Sequence, residues 1–286
     1  DDVIELNTLE EMVALINENP ELDFIYSDED KLTEDGTRRH SPFFKPDWSP
    51  DTFFSIMYTS HLAIYRTALV RKTGGLRTEY NGAQDYDFIF RCTEMAGKIV
   101  HVPRVLYHWR VHSASTADNP ASKLYAYEAG KKAIEGNLLR CGETGTVTLR
   151  SDYGFYDVEY QLQGTPLVSI LIPNKDQADT LRTCIESIRK KCTYPAFEIL
   201  VIENNSTEEA TFSYYKELEA QGIRVLQYPK QGFNYSAINN FGVREANGEY
   251  ILFLNNDMEV ITSDFMEKMV SNLQRPKIGA VGAKLY

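Results

Sequence analysis

GEYILFLNNDMEV, residues 248–260, decides the fold. A run apolar enough for the centre of a sheet ends abruptly in Asn255, Asn256 and Asp257. Short runs without polar alternation suit strands covered on both faces. Three similar runs precede it, PLVSILIP, FEILVIEN and RVLQYP, with helical patterns between them. The first helical pattern places Leu181, Cys184, Ile185 and Ile188 on one face by its i, i+3, i+4, i+7 spacing. From residue 166 the order β-α-β-α-β-α-β predicts an α/β fold with a parallel, doubly wound sheet and right-handed crossovers.

Ligands of such sheets collect at the carboxyl ends of the strands. Polar clusters stand there: Asn174-Lys175-Asp176, Glu203-Asn204-Asn205-Ser206 and Asn255-Asn256-Asp257. Each cluster also reads as a turn or a helix cap. Three on one sheet edge favour a ligand site. No GxGxxG or GxxxxGK[ST] follows a strand, so neither dinucleotide nor P-loop binding is indicated.

The totals bound the function. The chain has 286 residues, 43% of them hydrophobic and 25% charged, which is the composition of an ordinary globular protein. A net charge of -11 argues against a long nucleic-acid partner, whose phosphates need a basic face. DDVIELNTLEEM lacks the basic start and apolar core of a signal peptide, and no apolar run approaches the ~18 residues of a membrane span. Cys92, Cys141, Cys184 and Cys192 form no CxxC pair and read as packed thiols.

From VSILIP through EILVIENNS to YSAINNFGVREANGEYILFLNND, the second half resembles the nucleotide-binding half of family 2 glycosyltransferases, which have the GT-A fold. The last segment is similar to the family's Asn-bearing helix, then Gly-Glu-Tyr, then an apolar strand ending in Asp-x-Asp. The resemblance implies that Asp257 holds Mg²⁺ or Mn²⁺ against the diphosphate of a UDP-, dTDP- or GDP-sugar. Hard cations take oxygen ligands, and Mg²⁺ is met by one or two carboxylates plus substrate phosphates. Pro173, Asn174, Lys175, Glu203, Asn205, Asn240 and Asn255 are the other nucleotide-sugar contacts it implies. Lys175 reads equally as a solvated loop lysine. Two departures stand out: Asn255 occupies the place of the first Asp, and ENNS replaces Asp-Asp-Gly-Ser.

The opening residues repeat the closing ones. Asp1 and Pro20 match Asp257 and Pro276 at an offset of 256, and Met12-Val13 match Met269-Val270 after a one-residue gap. Chance similarity of two amphipathic helices is the alternative. A true repeat predicts a stretch of a longer tandem glycosyltransferase: residues 1–142 the acceptor half of one unit, 143–165 a β linker, and 166–286 the donor half of the next. The first half then begins with a helix capped by Asn7 and Glu10, with Leu9, Met12, Val13 and Ile16 inward. A strand DFIYSDED and a helix starting near Asp85 follow. Residues 119–140 predict one more helix, and TVTLRSDYGFYDVEYQLQGTP predicts two short strands.

The first half carries its own matches to the family. GAQDYD resembles the acidic start of an acceptor-side helix, with Asp85 at the position of the catalytic base. A sugar hydroxyl must lose a proton as it attacks the anomeric carbon. Asp85 or Asp87 as a helix cap is the other reading, and the two are compatible. HWRVHSAST resembles the closing Arg-x-His-x-x-Ser loop; there His112, with Asp1 and Asp257, is an implied metal ligand and Arg110 an implied diphosphate contact. A hydrogen-bonded structural histidine is the alternative for His112. His101 and His108 are assigned no role, and Trp48 and Trp109 are candidates to stack on sugars.

The implied activity is an inverting, metal-assisted sugar transfer of the hexosyltransferase type to a glycan or lipid-linked glycan. Cell-envelope or capsular polysaccharide is the expected product, made in the cytoplasm or at the membrane's inner face. Because the two halves belong to different active sites, pairing of halves within or between chains is expected, bringing Asp257, Asp85 and His112 together. Two rivals remain: a nucleotide-sugar- or glycan-binding module without turnover, and a nucleotidyltransferase. The latter wants a glycine-rich loop after its first strand, and PNKDQAD has no glycine.

Overall fold

The computed structural model describes residues 2–112 and 124–284. The chain forms two compact units, residues 1–160 and 161–286. Among the described residues no helix is long and apolar enough to cross a membrane.

The first unit runs β1 (Val3–Ile4), α1 (Thr8–Glu18), β2 (Phe24–Leu32), β3 (Arg39–Phe43), α2 (Pro50–Ser55) and β4 (Ala63–Tyr65). It continues through α3 (Thr67–Thr73), α4 (Gln84–Thr93), β5 (Ile99–Arg110), α5 (Leu124–Cys141), β6 (Gly145–Leu149) and β7 (Tyr156–Tyr160). Its sheet is mixed, in the order β1-β5-β2-β3 with β4 also on β2; β2 and β5 are parallel and the other pairs antiparallel. The central strand β2 is buried along nearly its whole length. Its alternation sends Phe24 and Tyr26 toward Phe53, Ile89 and Ile134, and Ile25 toward Met12 and Leu106.

Two expectations are corrected here. Of the α1 residues expected inward, Met12 is buried but Leu9 and Val13 are exposed, and Asn7 makes no cap bond, donating instead to Glu11 Oε1 at 3.2 Å. The β6–β7 hairpin is not a free-standing joint: Val147 and Tyr156 are part of the first unit's core, and Tyr156 Oη donates to the Tyr127 carbonyl at 3.0 Å. The candidate sugar platforms are also engaged, Trp48 against Phe53 and Tyr58 and Trp109 stacked on His61.

The second unit runs β8 (Val168–Asn174), α6 (Ala178–Lys191), β9 (Phe197–Glu203), α7 (Glu209–Ala220), β10 (Arg224–Gln227), α8 (Tyr235–Glu245), β11 (Tyr250–Phe253) and α9 (Phe265–Leu273). All its strand pairs are parallel, in the order β10-β9-β8-β11. One sheet face packs Ile170, Ile172 and Val201 on Leu181, Cys184, Ile185 and Ile188 of α6, the stripe read from spacing. The other packs Leu171, Leu200 and Ile202 on Ile238 of α8.

The glycine of Gly-Glu-Tyr has a physical cause. Gly248 N–H donates to Ser169 Oγ at 2.8 Å, and a Cβ there would lie 2.5 Å from the Ser169 backbone nitrogen. Only glycine lets this turn approach β8 closely enough to set β11 beside it. The chain order reverses between β8 and β11, and in open α/β sheets such a reversal opens a ligand crevice at the strands' carboxyl ends.

Candidate functional site

At that reversal, side chains bind the strand ends to one another. Asn256 Nδ2 donates to Asn174 Oδ1 at 2.7 Å, and Asn174 Nδ2 donates to Tyr215 Oη at 2.7 Å and to the Asp176 carbonyl at 3.0 Å. Tyr215 Oη donates to Glu203 Oε2 at 2.6 Å, and Glu203 also accepts from the Ser206 N–H and hydroxyl, each at 2.5 Å. Ser206 Oγ in turn accepts the Asp176 N–H at 2.8 Å. Burial pushes the Tyr215 phenol up, so it remains a donor. Asn174 and Glu203 are therefore buried braces of the edge, with their polar atoms committed.

The loops between these braces adopt left-handed backbone at Asp176, Gln177 and Asn205, with φ of 53, 57 and 60°. Asp176 Oδ1 accepts the N–H groups of Thr207 and Glu208, at 2.6 and 2.9 Å. Those two bonds hold its carboxyl below the ordinary value. Asn205 spends its amide on the chain before α8: Oδ1 accepts from Gly232 N–H at 3.0 Å and Nδ2 donates to the Lys230 carbonyl.

What these braces leave open is more telling. Asn204 is 3% exposed, yet among the described residues its Oδ1 has no partner, and neither does Oδ1 of Asn239 on α8. An unpaired buried acceptor costs about 1–3 kcal/mol, and a ligand donor would repay it. Lys175 and Asn240 are exposed and Pro173 is partly covered. Asn255 and Asp257 are exposed, with Asn256 between them drawn inward. Burial, with the Asp257 charge adding to it, pushes the Cys184 thiol of α6 up to about 11, and Cys184 Sγ donates to the Asn255 carbonyl at 3.7 Å. Asp257 and Asn255 offer one carboxylate and one amide carbonyl, an all-oxygen set suited to a hard cation that also takes ligands from a substrate. Among the described residues no group of three metal-binding side chains is present.

In the first unit the two acids of GAQDYD separate. Asp87 is fully buried and paired with Arg77 and with Arg91, the latter at 2.8 Å. Burial opposes its charge, but the two guanidinium groups hold its carboxyl below the ordinary value. Asp85, in the first turn of α4, is exposed and accepts only a local bond from the Tyr86 N–H at 2.9 Å among those described. Arg110 turns its guanidinium to the carbonyls of Glu34, at 2.9 Å, and Thr33, so it braces the β2–β3 turn. His112 is exposed. Asp1 lies outside the described residues; beside it Asp2 accepts from Arg110 N–H at 2.9 Å and Tyr107 Oη at 2.5 Å.

Sequence reading passed over a ladder of buried charge on β2. Asp28 meets His101 Nε2 at 2.7 Å, Glu29 meets Lys45 Nζ at 3.0 Å, and Asp30 meets His108 Nδ1 at 2.6 Å. Lys45 Nζ also donates to the carbonyls of Thr59 and His61, and burial pulls its ammonium below the ordinary value against the resistance of Glu29. The run SDED was the available signal, an acidic triplet inside an apolar strand. Asn204 stood in the strand-end cluster without being singled out, and for Asn239 there was no signal, since nothing in sequence distinguishes a braced asparagine from an open one.

Residues 169–286 match the family described as Glycosyl transferase family 2. Over its whole length the chain is 41% identical to an uncharacterized protein, y4gI, of Sinorhizobium fredii, and 41% identical to the O-antigen biosynthesis protein RfbC of Myxococcus xanthus. It spans 32% and 22% of those relatives' lengths. Among solved structures it is similar to the mannosyltransferase PcManGT from Pyrobaculum calidifontis in complex with GDP-Man and Mn²⁺. That likeness has a TM-score of 0.36 and 18% identity, over 54% of this chain and 43% of that one. Similarity to S. aureus TarS has a TM-score of 0.33 and 19% identity, over 37% of this chain and 32% of that one.

Proposed function

We propose that the chain, whose residues 169–286 match glycosyl transferase family 2, serves transfer of a sugar from a nucleotide-sugar to a glycan in cell-envelope or capsular polysaccharide synthesis. The observation that carries this reading is the carboxyl edge of the parallel sheet. There Asn255 and Asp257 stand exposed at the point of strand reversal, and just past the end of β9 the Asn204 Oδ1 has no partner among the described residues.

In this reading Asn204 Oδ1 takes an N–H of the nucleobase, while Glu203 and Asn205 shape the base loop through their own bonds. Pro173, Lys175 and Asn240 line the same edge, with the Lys175 ammonium facing phosphate. Asn255 and Asp257 would hold Mg²⁺ or Mn²⁺, which when bound neutralises charge on the leaving diphosphate. In the first unit Asp85 accepts the proton of the attacking hydroxyl, and attack opposite the diphosphate inverts the anomeric centre. Asp1 and His112 are the corresponding metal ligands of that unit's own site, and Arg110 holds the turn next to it.

A second reading, binding without turnover, rests on Asn255, which brings no charge to the cation. Calorimetric titration of UDP, dTDP and GDP, with and without Mn²⁺, tests both. One nucleotide should bind in a metal-dependent manner and lose about tenfold or more in Asp257→Ala, while Asn204→Ala weakens it with the metal dependence intact. Absence of binding by every nucleotide sinks the donor site. Binding without sugar transfer favours the second reading.

A further inference from the structure

The loop from β10 to α8 reaches the same sheet edge, and its backbone is fixed at several points. Tyr228 N–H donates to the Glu203 carbonyl at 3.0 Å, and the Tyr228 ring is buried against Phe241. Asn205 holds Gly232 and Lys230 through its amide, with Gly232 in left-handed backbone at φ 85°. Asn234 Oδ1 then accepts the Ala237 N–H at 3.0 Å and caps α8, and Asn239 Nδ2 donates to the Tyr235 carbonyl at 2.9 Å. A loop anchored in this way turns Tyr228 into the core, yet it does the reverse with its next two aromatic residues. Phe233 is 75% exposed and Tyr235 46%, and neither belongs to the cores on the two faces of the sheet. Their rings lie 6.5 Å apart, tilted by 48°. Single exposed apolar residues are ordinary, but two adjacent rings on an anchored loop form a patch, and such a patch at the strand ends marks a ligand site.

The loops after β8, β9 and β11, residues 175–177, 204–208 and 254–264, contain no aromatic residue. They bring charge and hydrogen-bonding groups, which suit phosphate, a cation and the edge of a base. An aromatic surface for the flat face of a base therefore comes from the β10–α8 loop. We propose that Phe233, flanked by Tyr235, is the platform on which the base of the nucleotide stacks. This rests on the donor-site reading above and adds the residue that fixes the plane of the base. Asn205 accepts from Gly232, the residue immediately before Phe233, so the loop that follows β9 and the ring are held as one piece. Every base has a π-face, so the ring adds affinity without choosing among bases. Choice is left to the groups that meet the base edge, the Asn204 acceptor among them.

Calorimetric titration of UDP, dTDP and GDP with Mn²⁺ into the full chain tests the platform. Phe233→Ala should keep Tm within about 2 °C, because the ring lies outside the cores, and should weaken the bound nucleotide about tenfold or more. Phe233→Leu, apolar but without a π-face, should lose as much, while Phe233→Trp stays within about threefold of the parent chain. Bound nucleotide should also quench the emission of the new indole, read against Trp48 and Trp109 of the first unit. Unchanged affinity in Phe233→Ala, full affinity in Phe233→Leu, or an indole that ignores bound nucleotide overturns the platform and leaves the donor site standing. If no nucleotide binds the parent chain, the donor-site reading fails first and the platform with it.

Discussion

The side-chain amide of Asn256 donates to Asn174 Oδ1 at 2.7 Å, joining the ends of the two strands between which the sheet reverses. The bond holds Asn256 inward and leaves Asn255 and Asp257 on the open side of the turn. Asn256→Ala should cost about 1 kcal/mol, one net hydrogen bond, and lower Tm by a few degrees. Its effect on nucleotide affinity should exceed its effect on stability; equal binding by the variant and the parent chain would show that the tie does not position the edge.

Tyr215→Phe removes the hydroxyl that accepts from Asn174 and donates to Glu203. Two buried groups then lack that partner, one of them the Glu203 carboxyl, so urea denaturation should report a loss of about 2–3 kcal/mol. A change under about 0.5 kcal/mol would mean that water replaces the phenol without penalty.

The acids of GAQDYD should separate by experiment. Asp87→Ala strands buried Arg91 and should destabilise the first unit by about 3–5 kcal/mol. Asp85→Asn should leave stability within about 0.5 kcal/mol and reduce sugar transfer by about 10²–10⁴-fold. Full activity in Asp85→Asn removes it as the base.

Acid should unfold the first unit through Asp87. Its carboxyl is held below the unfolded value of about 3.9, so the stabilisation is fully present above that pH and is lost as pH falls through the lower folded value. Tm followed from pH 6 down to pH 2 should therefore fall most steeply below about pH 4, and Asp87→Asn should flatten that fall while lowering Tm at neutral pH. An unchanged acid slope in the variant would assign the effect to other carboxylates.

The parallel sheet was legible because its strands are uninterrupted apolar runs and because Leu181, Cys184, Ile185 and Ile188 have only one amphipathic reading. The strand-end location of Asn255 and Asp257 followed from the same pattern. α1 was not legible in this way: Leu9, Met12, Val13 and Ile16 are all apolar, and periodicity gives a stripe's existence without saying which part is covered. Glu203 was assigned to the ligand by its position, but its two oxygens are taken by Tyr215 and Ser206, and only tertiary coordinates reveal such competition. The β6–β7 hairpin read as a joint because strand alternation carries no information about which core it serves.

The ladder on β2 also governs how the first unit's sheet can assemble. Asp28, Glu29 and Asp30 have counter-charges drawn from separate stretches of chain, His101 and His108 of β5 and Lys45 beyond β3. Sliding β2 by one residue would carry each acid to the opposite side of the sheet, away from its cation. An all-apolar central strand would tolerate such a slip far better. The three buried acids thus act as an alignment code, in which a mispaired strand carries the cost of a buried charge without its partner.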